Sequence, residues 1–184
     1  MSVFNFMNLH WRIPLVFFSI LILGWLSLQW PLYEHLGLVG ILLPGLLFGL
    51  SFSLVNFKGR RQRINGIILS SLFATVSIVV AFLLMFSWGP EGTGMEGMKF
   101  GFLLGFCCST LLTIMFYATY GLSWPAVLLA IILGSTLPAL LGFEESGETN
   151  VKPQLFGYFW LAVMGAVYSW GLWDKERRYG GMKE

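Results

Sequence analysis

Residues 64–88 read INGIILSSLFATVSIVVAFLLMFSW, a run of 25 residues without a charged side chain. A bilayer core about 30 Å thick is crossed by roughly 20 residues of α-helix. Lipid offers no hydrogen-bonding partner to the backbone, so a segment that crosses it must pair its own N–H and C=O groups, as a helix does. The run therefore predicts a membrane-spanning helix, and similar runs on both sides of it predict five more.

The composition of the whole chain agrees with this prediction. Hydrophobic residues make up 57% of the 184 residues and charged residues 11%, against about 45–50% and about 25% in soluble domains. A soluble fold of this size could not bury so much apolar surface. We predict an all-α integral membrane protein, a single polytopic domain over residues 1–184 with a charged cytoplasmic tail at 174–184. Its six transmembrane helices are expected at about residues 13–31, 36–57, 64–88, 100–120, 124–142 and 155–173.

The positive charges fall mainly on one side of this arrangement. Nine of the eleven Lys and Arg residues lie on the side of the N-terminus, and only Lys99 and Lys152 lie on the other. Cytoplasmic loops carry such an excess of Lys and Arg in most membrane proteins. Both termini are therefore predicted to be cytoplasmic, in the plasma (inner) membrane of a bacterium or archaeon. The nine residues are Arg12, Lys58, Arg60, Arg61, Arg63, Lys175, Arg177, Arg178 and Lys183.

The densest positive charge is the run KGRRQR at 58–63, predicted as the loop between the second and third spans. Lys58, Arg60, Arg61 and Arg63 are expected to anchor this loop on anionic headgroups of the bilayer. Docking of a cytoplasmic partner is the second interpretation. Nucleic acid is not an expected partner, because the loop is short and has no aromatic side chains for base stacking.

Two stripes of small residues repeat at four-residue spacing, which places their members on one face of a helix. Small residues let helix backbones approach closely in a membrane. The stripes predict helix packing within the chain, or an interface with other membrane subunits or a second copy. They consist of Gly45, Gly49 and Ser53 in the second span, and of Gly97, Gly101, Gly105 and Ser109 around the fourth.

The chain also shows a weak internal sequence similarity at a shift of 60 residues, which includes members of both stripes. Gly45 corresponds to Gly105 and Thr75 to Ser135 in this alignment. Both helix pairs would run the same way across the membrane, so the pattern predicts a weak parallel repeat of helices 2–3 and 4–5. Because exact identities are few, chance explains the pattern about as well as duplication.

The predicted spans contain no ionisable group that would indicate catalysis or proton transfer inside the membrane. Both histidines, His10 and His35, lie outside the spans, and Cys107 and Cys108 have no further metal ligand nearby in the sequence. No HExxH or GxSxG motif is present. We therefore expect a protein that is not an enzyme and has no catalytic residues, metal site or cofactor.

Carboxylates next to aromatic residues on the outer side form a candidate binding site. Such groups can hold a cationic or ring-shaped ligand through charge pairing and cation–π contact. The alternative interpretation is a solvated acidic loop above an ordinary belt of interfacial aromatics. The candidate ligand-binding residues are Trp30, Glu34, Trp88, Glu144 and Trp160.

The leading functional prediction is a non-enzymatic membrane subunit or accessory protein of a larger assembly, which packs through its small-residue helix faces. The alternative is a small-solute binding or transport module with a site entered from outside, energised by a partner or driven by ions. An interfacial lipid-modifying enzyme that uses Glu34 and His35 is a weaker third interpretation, because a single Glu–His pair is too common to indicate catalysis.

Overall fold

The computed structural model describes residues 11–29, 40, 42–88, 95–142 and 153–180, and all of its regular structure in these ranges is helical. Four helices, α1, α3, α4 and α6, are long and apolar enough to cross a bilayer, while α2 and α5 contain shorter apolar segments. The described part of the chain is thus all-helical, as expected of a polytopic membrane protein. The helices are α1 Arg12–Gln29, α2 Leu43–Asn56, α3 Arg60–Trp88, α4 Met95–Tyr120, α5 Trp124–Gly142 and α6 Pro153–Gly180.

The helix boundaries differ from the predicted spans at several ends. Helix α2 begins at Leu43 rather than near residue 36, with Pro44 in its first turn, where the missing proline N–H costs no helical hydrogen bond. Helix α3 begins at Arg60, so Arg60, Arg61 and Arg63 belong to its first turn and not to a loop. The predicted tail is likewise helical as far as Gly180. Helices continue past the apolar segment here because Arg, Lys, Gln and Glu are good helix formers.

Helix α6 is the central element of the bundle. It contacts α1, α2 and α5, and 61% of the residues in its apolar window are buried, against 22% for those of α1 and α3. Its Tyr168 ring stacks on Phe116 of α4 at 4.4 Å between ring centroids, and the Tyr168 hydroxyl shares a hydrogen bond of 3.0 Å with Thr113 Oγ1. The buried aromatic core thus joins α4 to α6.

The two strongest helix pairs, α2 with α3 and α4 with α5, meet through the small-residue stripes. A Cβ atom at Gly49 would lie 2.6 Å from the backbone nitrogen of Ser71 on α3. One at Gly105 would lie 2.5 Å from the Gly134 carbonyl oxygen on α5, and one at Gly101 would overlap Pro138. Close backbone approach therefore holds both hairpins together. The other stripe members, Gly45, Ser53, Gly97 and Ser109, are buried as well.

Successive helices alternate in direction. The glycine contacts described above make α2 antiparallel to α3 and α4 antiparallel to α5, and a hydrogen bond from Asn56 to Ser169 places the end of α2 beside the second half of α6.

Three further contacts make α1 and α5 antiparallel to α6. Arg12, at the start of α1, pairs with Glu176 near the end of α6. Gly24, near the end of α1, lies against Tyr158 near the start of α6. The backbone N–H of Ser123, just before α5, donates to the carbonyl of Gly171 in the last third of α6, at 3.4 Å. The starts of α1, α3 and α5 and the ends of α2, α4 and α6 consequently share one end of the bundle.

Candidate functional site

Positive charge is concentrated at this shared end, which we call the basic end. Of the nine Lys and Arg residues in the described part of the chain, eight lie here. Lys99 is the exception; it lies in the first turns of α4, roughly 30 Å along the helix from Tyr120. The basic end consists of Arg12, Lys58, Arg60, Arg61, Arg63, Lys175, Arg177 and Arg178.

A cleft of about 550 Å³ opens among the helix termini of the basic end. Its volume falls in the range of about 300–1,000 Å³ that is typical of small-molecule sites. The walls come from five of the six helices and carry cationic, amide, phenol and carboxylate groups. The lining residues are Arg12, Asn56, Phe57, Lys58, Gln62, Asn65, Gly66, Leu69, Tyr120 and Glu176.

Asn56, the last residue of α2, has a fixed orientation in the wall of the cleft. Its Nδ2 group donates to the Phe52 carbonyl and to Ser169 Oγ on α6, both at 2.9 Å. Both amide protons are therefore used, and Ser169 in turn donates to the Gly165 carbonyl at 2.8 Å. Asn56 is 7% exposed, yet its Oδ1 accepts no hydrogen bond from the described residues. A buried acceptor without a donor typically costs about 1–3 kcal/mol.

Arg12 brings a largely desolvated cation to the cleft. Its side chain is 13% exposed, and its Nη1 lies 3.3 Å from Oε2 of Glu176, whose side chain is 56% exposed. A guanidinium has five N–H donors, whereas this ion pair is long and joins one nitrogen to one oxygen. Arg12 thus retains donor capacity for a further anionic group.

Lys175 closes the neighbouring turn between α4 and α5. Helix α4 ends at Tyr120, and Gly121 follows with φ of +66°, the left-handed conformation that glycine adopts readily at helix C-termini. The Lys175 ammonium donates to the Tyr120 carbonyl at 3.0 Å, a favourable position for a cation at the negative end of a helix dipole. The Tyr120 hydroxyl shares a hydrogen bond of 3.1 Å with Ser70 Oγ, so Tyr120 is held on both sides.

The predicted outer ligand-binding residues are placed only in part. Trp30, Glu34 and Glu144 lie outside the described residues, and Trp88 is the last residue of α3. Trp160 is 8% exposed, and its indole N–H donates to the Gly134 carbonyl on α5 at 3.0 Å. Trp160 therefore lies inside the bundle, where its polar group satisfies a carbonyl in the α5–α6 contact.

Sequence reasoning missed most of the cleft. Among the predicted site residues only Lys58 lines it; Arg12 entered the prediction only as a topology signal, and Gln62, Asn65 and Glu176 were not predicted. The available signal was Asn56, an amide within an otherwise apolar run. Its hydrogen bond to Ser169 spans 113 residues of sequence, so the pairing of α2 with α6 could not be inferred from local pattern.

No family model, curated protein or solved structure matches this chain. In the described residues, no group of three or more His, Cys, Asp or Glu side chains could hold a metal ion. Cys108 is buried, and Cys107 is partly buried; both are free thiols. Functional interpretation consequently depends on the basic end and its cleft.

Proposed function

We propose that this chain is a non-enzymatic, six-span membrane subunit or accessory protein with both termini in the cytoplasm, and that it docks an acidic protein partner through the first turn of α3. Successive helices run in opposite directions, so the shorter helices α2 and α5 must each cross back between two longer helices. This arrangement supports six crossings. The concentration of Lys and Arg at one end supports a cytoplasmic basic end.

The observation that carries the docking proposal is the unneutralised charge of Arg60 and Arg61. Both side chains are exposed, and neither forms an ion pair with any described residue. The first turn of α3 contains no acidic residue, although the positive end of a helix dipole favours acidic side chains. Adjacent cations at this position are locally unfavourable, and a complementary acidic surface on a partner would offset that cost.

Contacts between helices also support the parallel repeat of α2–α3 and α4–α5. A Cβ atom at Gly45 would overlap the Thr75 hydroxyl, and one at Gly105 would lie 3.0 Å from Ser135 Cα. These two contacts join positions that correspond at the shift of 60 residues. Equivalent residues therefore make equivalent helix contacts, which favours duplication of a helical hairpin.

The docking proposal is tested by chemical cross-linking in the native membrane, followed by extraction and mass spectrometry. Arg60→Gln/Arg61→Gln should lose the cross-linked partner, whereas Lys99→Gln, at the opposite end of α4, should retain it. Cysteine accessibility in intact cells must first establish that the double variant keeps the wild-type topology. Equal partner recovery from the double variant and the Lys99 variant would refute docking at α3.

A second candidate function is the binding or transport of a small solute, energised by a partner or driven by ions. The cleft at the basic end favours it, since this cavity has the size of a ligand site and contains polar groups from five helices. Of the outer site predicted from Trp30, Glu34, Trp88, Glu144 and Trp160, Trp160 is buried against α5 and so does not face an outer ligand site.

A further inference from the structure

We propose that the cleft at the basic end binds a phosphate group whose ligand also carries a hydroxyl, with Arg12 holding the phosphate and Asn56 Oδ1 accepting from the hydroxyl. This inference goes beyond the docking proposal and does not depend on it, because Arg60 and Arg61 do not line the cleft. The chemistry is that of a polyol phosphate.

The charge of the lining selects an anion. Arg12 and Lys58 approach from α1 and from the turn after α2, against the single carboxylate of Glu176. Arg12 is the better buried of its ion pair, and Glu176 is more than half exposed, so the carboxylate can turn towards water while the guanidinium stays in place. Arginine binds phosphate through paired, charge-assisted hydrogen bonds.

The hydrogen-bonding capacity of the lining selects a donor as well. Asn56 is held by its amide protons, so only its acceptor Oδ1 remains for a ligand. A fully ionised phosphate has no proton to donate, whereas a hydroxyl does. Gln62 and Asn65 line the same cleft from α3 and can donate to phosphate or accept from further hydroxyls. A ligand that carries a hydroxyl next to a phosphate can therefore donate to Asn56 Oδ1 and accept from Arg12.

Two sources can present this chemistry at the membrane surface. A free polyol phosphate would enter from the aqueous side, and a phosphatidylglycerol headgroup would enter from the bilayer. The cleft of about 550 Å³ can hold either headgroup or solute. The two sources can be distinguished by testing the binding of each one in the absence of the other.

The test uses the full-length protein in nanodiscs of phosphatidylcholine. Isothermal titration calorimetry compares sn-glycerol 3-phosphate with methyl phosphate, which carries the charge but no hydroxyl, and with glycerol, which lacks the charge. Native mass spectrometry compares phosphatidylglycerol with phosphatidylcholine. We expect glycerol 3-phosphate to bind about tenfold more tightly than methyl phosphate if the source is a free solute, which is the factor expected for one added hydrogen bond. Selective retention of phosphatidylglycerol, without solute binding, would assign the lipid source.

Arg12→Gln and Glu176→Gln form a matched pair, because each removes the same ion pair and replaces one charged group with an amide. Arg12→Gln should weaken binding about tenfold or more, whereas Glu176→Gln should strengthen it, since a competing carboxylate is removed. Lys99→Gln and Arg60→Gln/Arg61→Gln should bind as the wild type does. Failure of both glycerol 3-phosphate and phosphatidylglycerol to bind, or equal changes for Arg12→Gln and Glu176→Gln, would overturn the proposal.

Discussion

The contact between α4 and α5 and the basic end of the bundle use opposite means of holding helices together. Between α4 and α5, glycines bring backbones so close that there is no room for a methyl group at Gly105. At the basic end, helix termini diverge around a cleft, and side chains such as Lys175 reach across to backbone carbonyls. The first region is buried and depends on shape; the second carries exposed charged residues and depends on charge.

This difference follows from the solvent that each region meets. Within a bilayer, lipid tails are as apolar as the side chains, so helix association depends mainly on van der Waals contact and interhelical hydrogen bonds. At the membrane surface water can replace a lost polar contact, and charges are screened. The same kind of substitution should therefore cost much more in the glycine contact than at the basic end, and three variants test that ordering.

The largest effect is expected for Gly105→Leu. The added side chain would meet the Gly134 carbonyl, the Pro138 ring and the Ser135 backbone on α5, and backbone atoms cannot move aside as a flexible side chain can. We expect the free energy of unfolding to fall by about 3 kcal/mol or more, the upper end of overpacking costs. The loss is measured by titration with sodium dodecyl sulfate, followed by circular dichroism.

Gly157→Leu is the matched control for this variant. Gly157 lies in α6, a long helix like α4, and a Cβ atom there would meet nothing within 4 Å. Its free energy of unfolding should change by about 0.5 kcal/mol or less, in either direction. If Gly105→Leu were as mild as this control, the close approach of α4 and α5 would not be a stabilising contact.

An intermediate effect is expected for Tyr168→Phe, which removes a hydroxyl from the buried core and leaves the ring in place. The fully buried Tyr168 shares its hydrogen bond with Thr113, and water cannot replace it there. The expected loss is about 1 kcal/mol in the same titration, in keeping with interhelical hydrogen bonds in membranes. Tyr117→Phe, on the exposed side of α4, should leave the free energy of unfolding unchanged. Equal losses for both variants would mean that the loss does not come from the hydrogen bond to Thr113.

Sequence pattern predicted the two regions to very different degrees. The helical class, the apolar segments and the glycine stripes follow from local composition and from four-residue spacing, because both act within one helix. The cleft joins Arg12, Asn56 and Glu176 from three helices far apart in the sequence, and their meeting depends on how α6 packs in the centre of the bundle. The burial of Trp160 has the same origin, since its partner carbonyl belongs to another helix.

The helix ends were predicted least well, for a related reason. Hydropathy marks where lipid ends, but a helix ends where its backbone hydrogen bonds end. The first turn of α3 is charged and still helical, because Arg and Gln support a helix in water as well as in lipid. Charge therefore located the basic end correctly in the sequence but assigned its densest part to a loop.

The smallest effect is expected for Lys175→Met, which keeps most of the side-chain length and removes the ammonium from the Tyr120 carbonyl. The end of α4 would lose a favourable cation, but water at the basic end can hydrogen-bond the freed carbonyl. We expect a loss of about 0.5 kcal/mol, within the range for a cation at a helix C-terminus, and a smaller loss at high salt because the interaction is screened. Lys175→Arg retains the charge and a donor and should stay close to the wild type. A salt-independent loss as large as that of Tyr168→Phe would mean that water does not reach the α4–α5 turn. The Tyr120 carbonyl would then belong to the buried core and not to the solvated basic end.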